Sequence, residues 1–128
     1  MNKNLQPSPY AQFNFQLSLG GEVLGGFQEL SAIEKLHGLN KASDVILKRG
    51  VINAPALNDW LDEVRKHGGS HRAVKIELLD ETRRTVTRWL LHGARPIKHT
   101  FGEDNPSGVE VAIEELVLAC ERFESDDK

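Results

Sequence analysis

The stretch "FNFQLSLGGEVLGGFQELSAIE", residues 13–34, constrains the fold more than any other part of the chain. Phe13, Phe15, Leu17 and Leu19 alternate with Asn14, Gln16 and Ser18. Successive side chains of an extended strand point to opposite faces, so this period of two separates an apolar row from a polar one. Gly20-Gly21 and further β-type residues follow, which predicts a β-hairpin with one apolar face. Gly25-Gly26 removes two side chains from the second arm and predicts a bulge or a close backbone approach there.

The rest of the chain continues in the same style. Residues 36–44, "LHGLNKASD", carry no periodicity and read as a connecting loop, after which "VILKRGVI" resumes β-branched character. One helix is predicted over about residues 55–67, because Leu57, Trp60, Leu61 and Val64 fall at i, i+3, i+4 and i+7. Asn53 suits its cap and Pro55 its first turn, Asp59 and Asp62 lie early, Arg65 to His67 lie late, and Gly68-Gly69 stop it. "RAVKIELL" and "RTVTRWLLHGARPIKHTF" read as strands paired around the turn "DETR", and "GEDNPSG" as a second turn. Pro96 cannot donate to a ladder and belongs at an edge, a bulge or a kink. The expected architecture is mainly β (α+β): antiparallel strands with a single amphipathic helix laid against them. A chain of 128 residues has room for one core, so 1–128 reads as a single domain with residues 1–10 as a flexible, proline-containing arm.

"SGVEVAIEELVLACERF", residues 107–123, admits two readings. With a helical period, Ile113, Leu116, Val117, Cys120 and Phe123 form a stripe, and Ser107 with Glu110 resembles a capping box. With a period of two, Val109, Val111 and Ile113 share one face and Leu116, Leu118 and Cys120 the other, so the alternation slips once in between.

Nothing in the sequence points to catalysis. His67 and His71 are the only close histidine pair, with no Cys or carboxylate set to complete a metal site. Cys120 lies among apolar neighbours and reads as a small buried hydrophobe, and Glu114-Glu115 as surface or interface charge. The double glycines lack the strand and helix context of a phosphate loop, and no cofactor is expected. Sixteen Lys and Arg against nineteen Asp and Glu leave a net charge of −3, no general reason to expect a polyanionic partner. The first residues lack the apolar core of a secretory signal and no run is long enough to span a bilayer, so synthesis in the cytoplasm without membrane anchoring is expected.

Four stretches, "FNFQLSLGGEVLGGFQELSAIE", "VILKRGV", "LNDWLDEVR" and "EVAIEELVLACE", occur in an order and at intervals that resemble the tail tube proteins of contractile phage tails and of phage-tail-like extracellular injection systems. The resemblance spans roughly residues 10–123; it departs at Arg95, where the family carries an aromatic before the proline. It implies an antiparallel β-barrel or sandwich with one flanking helix, a structural rather than enzymatic role, and homohexameric rings stacked into a hollow tube that passes DNA or protein cargo. Implied partners are other copies of the chain, a sheath protein, baseplate and tube-terminating proteins, and a tape measure or cargo in the lumen. Under this resemblance Asn14, Gln16 and Ser18 are candidates to face the lumen, and Asn40, Lys41 and Asp44 are candidates for contacts between rings. It also turns residues 109–121 into a strand, with a bulge or sharp twist between Ile113 and Leu116. The alternatives are a tube-initiating, baseplate-proximal paralogue, a type VI secretion ring protein, and, in another class, a small β-rich ligand-binding domain.

Overall fold

The alternating segment is a strand in the computed structural model, which describes residues 10–37, 40–67, 73–102 and 109–125. The N-terminal arm before Tyr10, the helix-stopping Gly68-Gly69 and residues 103–108 of the second turn lie outside the described residues. In chain order the elements are β1 (Phe15–Leu19), β2 (Glu22–His37), β3 (Asn40–Asn53), α1 (Ala54–His67), β4 (Val74–Leu79), β5 (Thr85–His92), β6 (Arg95–Phe101), β7 (Glu110–Cys120) and β8 (Arg122–Ser125). All eight strands belong to one sheet in the order β6-β7-β3-β2-β1-β4-β5-β8, and every pair is antiparallel.

The chain links the two ends of this sheet twice. β5 turns at Gly93, φ 65°, directly into β6, and β7 passes through Glu121 directly into β8. A hydrogen bond from Glu121 N to His92 O, 2.8 Å, ties the two crossings together. The sheet therefore curls into a barrel-like sandwich, as expected, and its inner face holds one core that includes Leu17, Phe27, Leu47, Ile52, Ile76, Leu116 and Leu118.

β1 and β2 form the predicted hairpin around Gly20 and Gly21, φ 61° and 89°. The predicted bulge is present: Leu17 faces Gly25 but Ser18 faces Val23, leaving Leu24 as the extra residue. Pro96 sits on the edge strand β6 beside a register shift between Pro96 and Lys98, where its missing donor costs no ladder bond. α1 starts one residue earlier than predicted, with Asn53 Oδ1 accepting from Ala56 N at 3.0 Å, a cap that contributes about 1 kcal/mol. Its first turn holds no acidic residue; Asp62 sits deeper and pairs with Arg65 at 3.0 Å. Leu57 and Trp60 anchor the helix in the core. No described helix is long and apolar enough to cross a membrane.

Two expectations are corrected. Residues 36–44 are not a loop: β2 runs to His37 and β3 starts at Asn40, with His37 paired to Asn40 and Leu36 to Lys41. Ala42, Ser43 and Asp44, before the first buried residue of β3 at Val45, are only half-buried, so no buried apolar row imposes a period there. Tyr10, assigned to the flexible arm, is 5 % exposed. Its carbonyl accepts from Phe13 N at 3.1 Å and from Arg83 Nη2 at 3.3 Å, and Arg83 Nη1 donates to Phe13 O at 2.9 Å.

Burial and the Glu110 carboxylate, which accepts its hydroxyl proton, push the Tyr10 phenol up to about 12. Burial, with Asp44 nearby, pushes the Cys120 thiol up to about 11. Both groups are neutral in the folded protein and ionise more readily unfolded. Their contributions are therefore complete below about pH 9 and disappear as pH rises through the folded values. Urea titrations are expected to lose up to roughly 3 kcal/mol per group between about pH 9 and 12. Tyr10→Phe removes its share of that slope, Cys120→Ala the other, and a slope unchanged in both variants contradicts the assignment.

Candidate assembly surfaces

The slip between Ile113 and Leu116 is one point on a line that crosses three strands. Inward residues are Phe27, Ile52 and Ile113 on one side of it, and Val45, Leu47, Leu116 and Leu118 on the other. Odd and even positions exchange faces along Gln28, Arg49 and Glu114, and Arg49 takes φ 57°, a left-handed conformation in mid-strand. β6 accommodates the same line with a register shift between Thr100 and Phe101. One residue per strand is thus spent on re-aiming side chains, which keeps the core continuous while the sheet bends.

Beyond that line the outward face carries one ladder of alternating charge, followed by the mixed row Ser31, Ile46, Val117 and Lys98. In the ladder Glu29 faces Lys48, Lys48 faces Glu115, and Glu115 faces Thr100; further along, Ile33, Asp44, Ala119 and Arg95 form a third row. Arg49 pairs with Glu29, and Lys98 Nζ lies 2.9 Å from Glu115. The Lys98 hydrogen bond is the main reason that the Glu115 carboxyl stays below its ordinary value.

Several stretches of strand edge are unpaired among the described residues, among them stretches of β2, β6 and β8. β1 covers β2 only from Glu22 to Phe27, so the side of β2 facing away from β3 is open from Gln28 to His37. Ser31 to Glu34 are exposed there, with Ile33 at 49 %. β6 and β8 are the two ends of the sheet. β6 exposes Ile97 and Phe101, whereas β8 has four residues and carries Arg122 and Glu124, 3.4 Å apart, with Glu124 also held by His92 at 2.5 Å.

The residues singled out from sequence fall in two separate places. Asn14 precedes β1 and is exposed, Gln16 is half-buried, and Ser18 is 6 % exposed, with Val23 and Lys75 as its cross-strand neighbours. Asn40 and Lys41 lie at the start of β3 near the hairpin end, and Asp44, half-buried, pairs with Ile33 and Ala119. The free edge of β2 and the charge ladder escaped the sequence reading, since both depend on how far β1 reaches and which strands flank β3. The described residues hold no cluster of three or more metal-ligating side chains.

In comparisons with solved structures the chain is similar to a chain of the sheath-tube complex of the PVC extracellular contractile injection system, at 19 % identity and TM-score 0.59, covering 91 % of this chain and 90 % of that one. It is similar to a chain of the anti-feeding prophage tube-terminating cap, at 17 % identity and TM-score 0.54, covering 99 % and 97 %. A chain of the anti-feeding prophage baseplate gives 21 %, TM-score 0.55 and coverage of 95 % and 98 %. These likenesses support the tube-like fold. None of the curated proteins matches. Residues 32–124, which include the distal part of the long hairpin, the helix and β4 to β7, match the T4-like virus tail tube protein gp19 family, and the chain is a member of that family.

Proposed function

We propose that the protein is a structural subunit of the inner tube of a contractile phage tail or phage-tail-like injection particle, forming six-fold rings stacked around a lumen that passes DNA or protein cargo. The observation that carries this reading is the pair of open edges on opposite sides of the sub-sheet β6-β7-β3-β2. Each step across it is antiparallel, so β6 and the distal half of β2 run in opposite directions. A neighbour's β6 therefore meets distal β2 antiparallel without any change in the subunit. Pairing of two different edges is head-to-tail and closes into a ring when the rotation permits. β8 is the poorer edge, being short and charged.

In such a ring the outward face of these four strands lines the lumen, and β4, β5 and α1 lie outside it, toward the sheath protein. The row Asn14, Gln16 and Ser18 is a second candidate for the lumen. It is the weaker one, because both edges of β1 are used within the subunit and Ser18 is covered. Asn40, Lys41 and Asp44, on the extension beyond the core, are the candidate contacts between stacked rings. Baseplate and terminating proteins would close the tube at its ends. Likeness to the cap and baseplate chains favours one further reading, a tube-initiating or terminating paralogue; copy number per particle separates it from the main tube subunit.

Negative-stain electron microscopy of the purified protein, alone and with its sheath partner, is expected to show rings or hollow tubes. Ile33→Lys places a blunting charge on the open edge and is expected to leave a folded monomer without rings. A wild-type protein that stays monomeric under every assembly condition overturns the reading. Charge reversal at Lys41 or Asp44 is expected to shorten tubes, measured as tube length and yield, while single rings persist.

A further inference from the structure

We infer that neighbouring subunits of the ring are joined by an aromatic seam on the core side of the sheet, made by His99 and Phe101 of one copy and by Phe15, Trp89 and Phe123 of the next. The inference rests on the ring proposed above and adds a side-chain contact that strand pairing alone does not require. Both halves of the seam stand open in the single subunit. At the β6 edge, His99 and Phe101 meet edge to face with ring centroids 5.4 Å apart, and both are exposed, Phe101 at 39 %. Their cross-strand neighbours Leu116 and Ile113 are buried, which puts the pair on the core side of β6. At the other edge, Trp89 stacks on Phe123 at 6.0 Å and lies 6.2 Å from Phe15. All three pack against the core yet are only half-buried. Trp89 faces Ile76, and Ile76 faces Leu17, so this group is on the core side as well.

Strand direction brings the two halves together. Phe15 begins β1 and pairs with Phe27, so it marks the point where the free edge of β2 opens; half-buried Leu30 follows on the core side, opposite Leu47. A neighbour's β6 lying antiparallel along Gln28–His37 has its Phe101 end toward Phe15 and its Arg95 end toward the hairpin tip. In a continued sheet core-side residues meet core-side residues. Either His99 or Phe101 of the neighbour therefore falls opposite Leu30, beside the aromatic group. Area argues for the same occupant. A specific interface buries about 800 Å² per partner, and a seven-residue strand edge about 23 Å long supplies only a fraction of that. Each aromatic side chain adds roughly 150–250 Å². Three of the six large hydrophobics exposed among the described residues, Ile33, Ile97 and Phe101, also stand on these two edges, where pairing would cover them.

The test reads Trp89. Trp60→Phe leaves it as the only tryptophan of the chain. Acrylamide quenching of its fluorescence is expected to fall about twofold or more when subunits assemble into rings, because water leaves the centre of such a contact. Phe101→Ala is expected to keep the wild-type urea midpoint as a monomer and to raise the concentration for half-maximal assembly, read by sedimentation, by about tenfold or more. Val86→Ala trims a side chain 58 % exposed on β5, away from the β2 and β6 edges, and as the control should assemble like wild type. Trp89 quenching that is unchanged in assembled rings overturns the seam while leaving the strand pairing intact, and so does Phe101→Ala that assembles at the wild-type concentration. If Phe101→Ala does not fold, the quenching decides alone. Absence of rings from the wild-type protein is a different result, since it overturns the ring reading and the seam with it.

Discussion

Gly50→Ala is expected to destabilise the protein by about 3 kcal/mol or more, enough to unfold a marginal domain. Gly50 of β3 faces Phe27 of β2 and Ile113 of β7, at the edge of the line where the strands exchange faces. A Cβ added there would lie 2.0 Å from the Gly26 carbonyl oxygen and 2.7 Å from Phe27 Cδ1. The first obstacle is backbone held in a ladder, and the second is a ring with no exposed surface at the centre of the core. Neither can move without disturbing packing elsewhere. The requirement is for space rather than for an unusual dihedral angle.

Gly21→Ala supplies the control. Nothing lies within 4 Å of a Cβ at Gly21, but its φ is 89°, so the expected cost is the conformational one, about 1 kcal/mol. Urea unfolding of the two variants at constant m-value tests the contrast. A Gly50→Ala midpoint close to that of Gly21→Ala would show that β2 and β3 can separate at this crossing, contrary to the geometry. Because the crossing also fixes the outward ladder, Gly50→Ala should abolish tube assembly even where some folded monomer survives.

Trp60→Ala should cost about 3–5 kcal/mol, the range for removing a large aromatic from a close-packed core. Trp60 has no exposed surface and, with Leu57, carries the contact between α1 and the sheet. Trp60→Phe should cost far less, about 1–2 kcal/mol. The reason is specific: the buried indole Nε1 has no hydrogen-bond partner among the described residues, so replacing it strands no acceptor and removes an unsatisfied donor. Thermal and urea unfolding of the pair tests this. Equal losses in the two variants would reveal a partner for the indole nitrogen, and a small loss in Trp60→Ala would mean that the helix is not anchored where it lies. Since α1 is placed on the sheath side of the proposed ring, Trp60→Phe tubes should form normally and still accept sheath.

How much of this was legible beforehand depended on whether the deciding interaction was local. The β1–β2 hairpin was readable because its alternation and its two glycines are adjacent in sequence. α1 was readable because Asn53, Pro55 and the Leu57–Val64 stripe all act within one helix. The 109–121 segment was not: its helical propensities and its slipped alternation conflict, and only pairing of β7 between β3 and β6 settles it as a strand. Residues 36–44 failed for a different reason, since the backbone pairing of the hairpin they close, His37 with Asn40 and Leu36 with Lys41, needs no side-chain pattern.

By itself, then, the sequence determined the strand-rich class, the helix over 54–67 with its cap, and the turns at Gly20-Gly21 and Asp80–Arg83. These follow from period, propensity and special dihedrals over a few residues. Only the tertiary structure decided that β1 stops short of distal β2, that the sheet doubles over through β5–β6 and β7–β8, and that acids and bases from three strands alternate on one outward face. Each of those compares strands far apart in the chain, and register between distant strands is set by packing across the whole sheet.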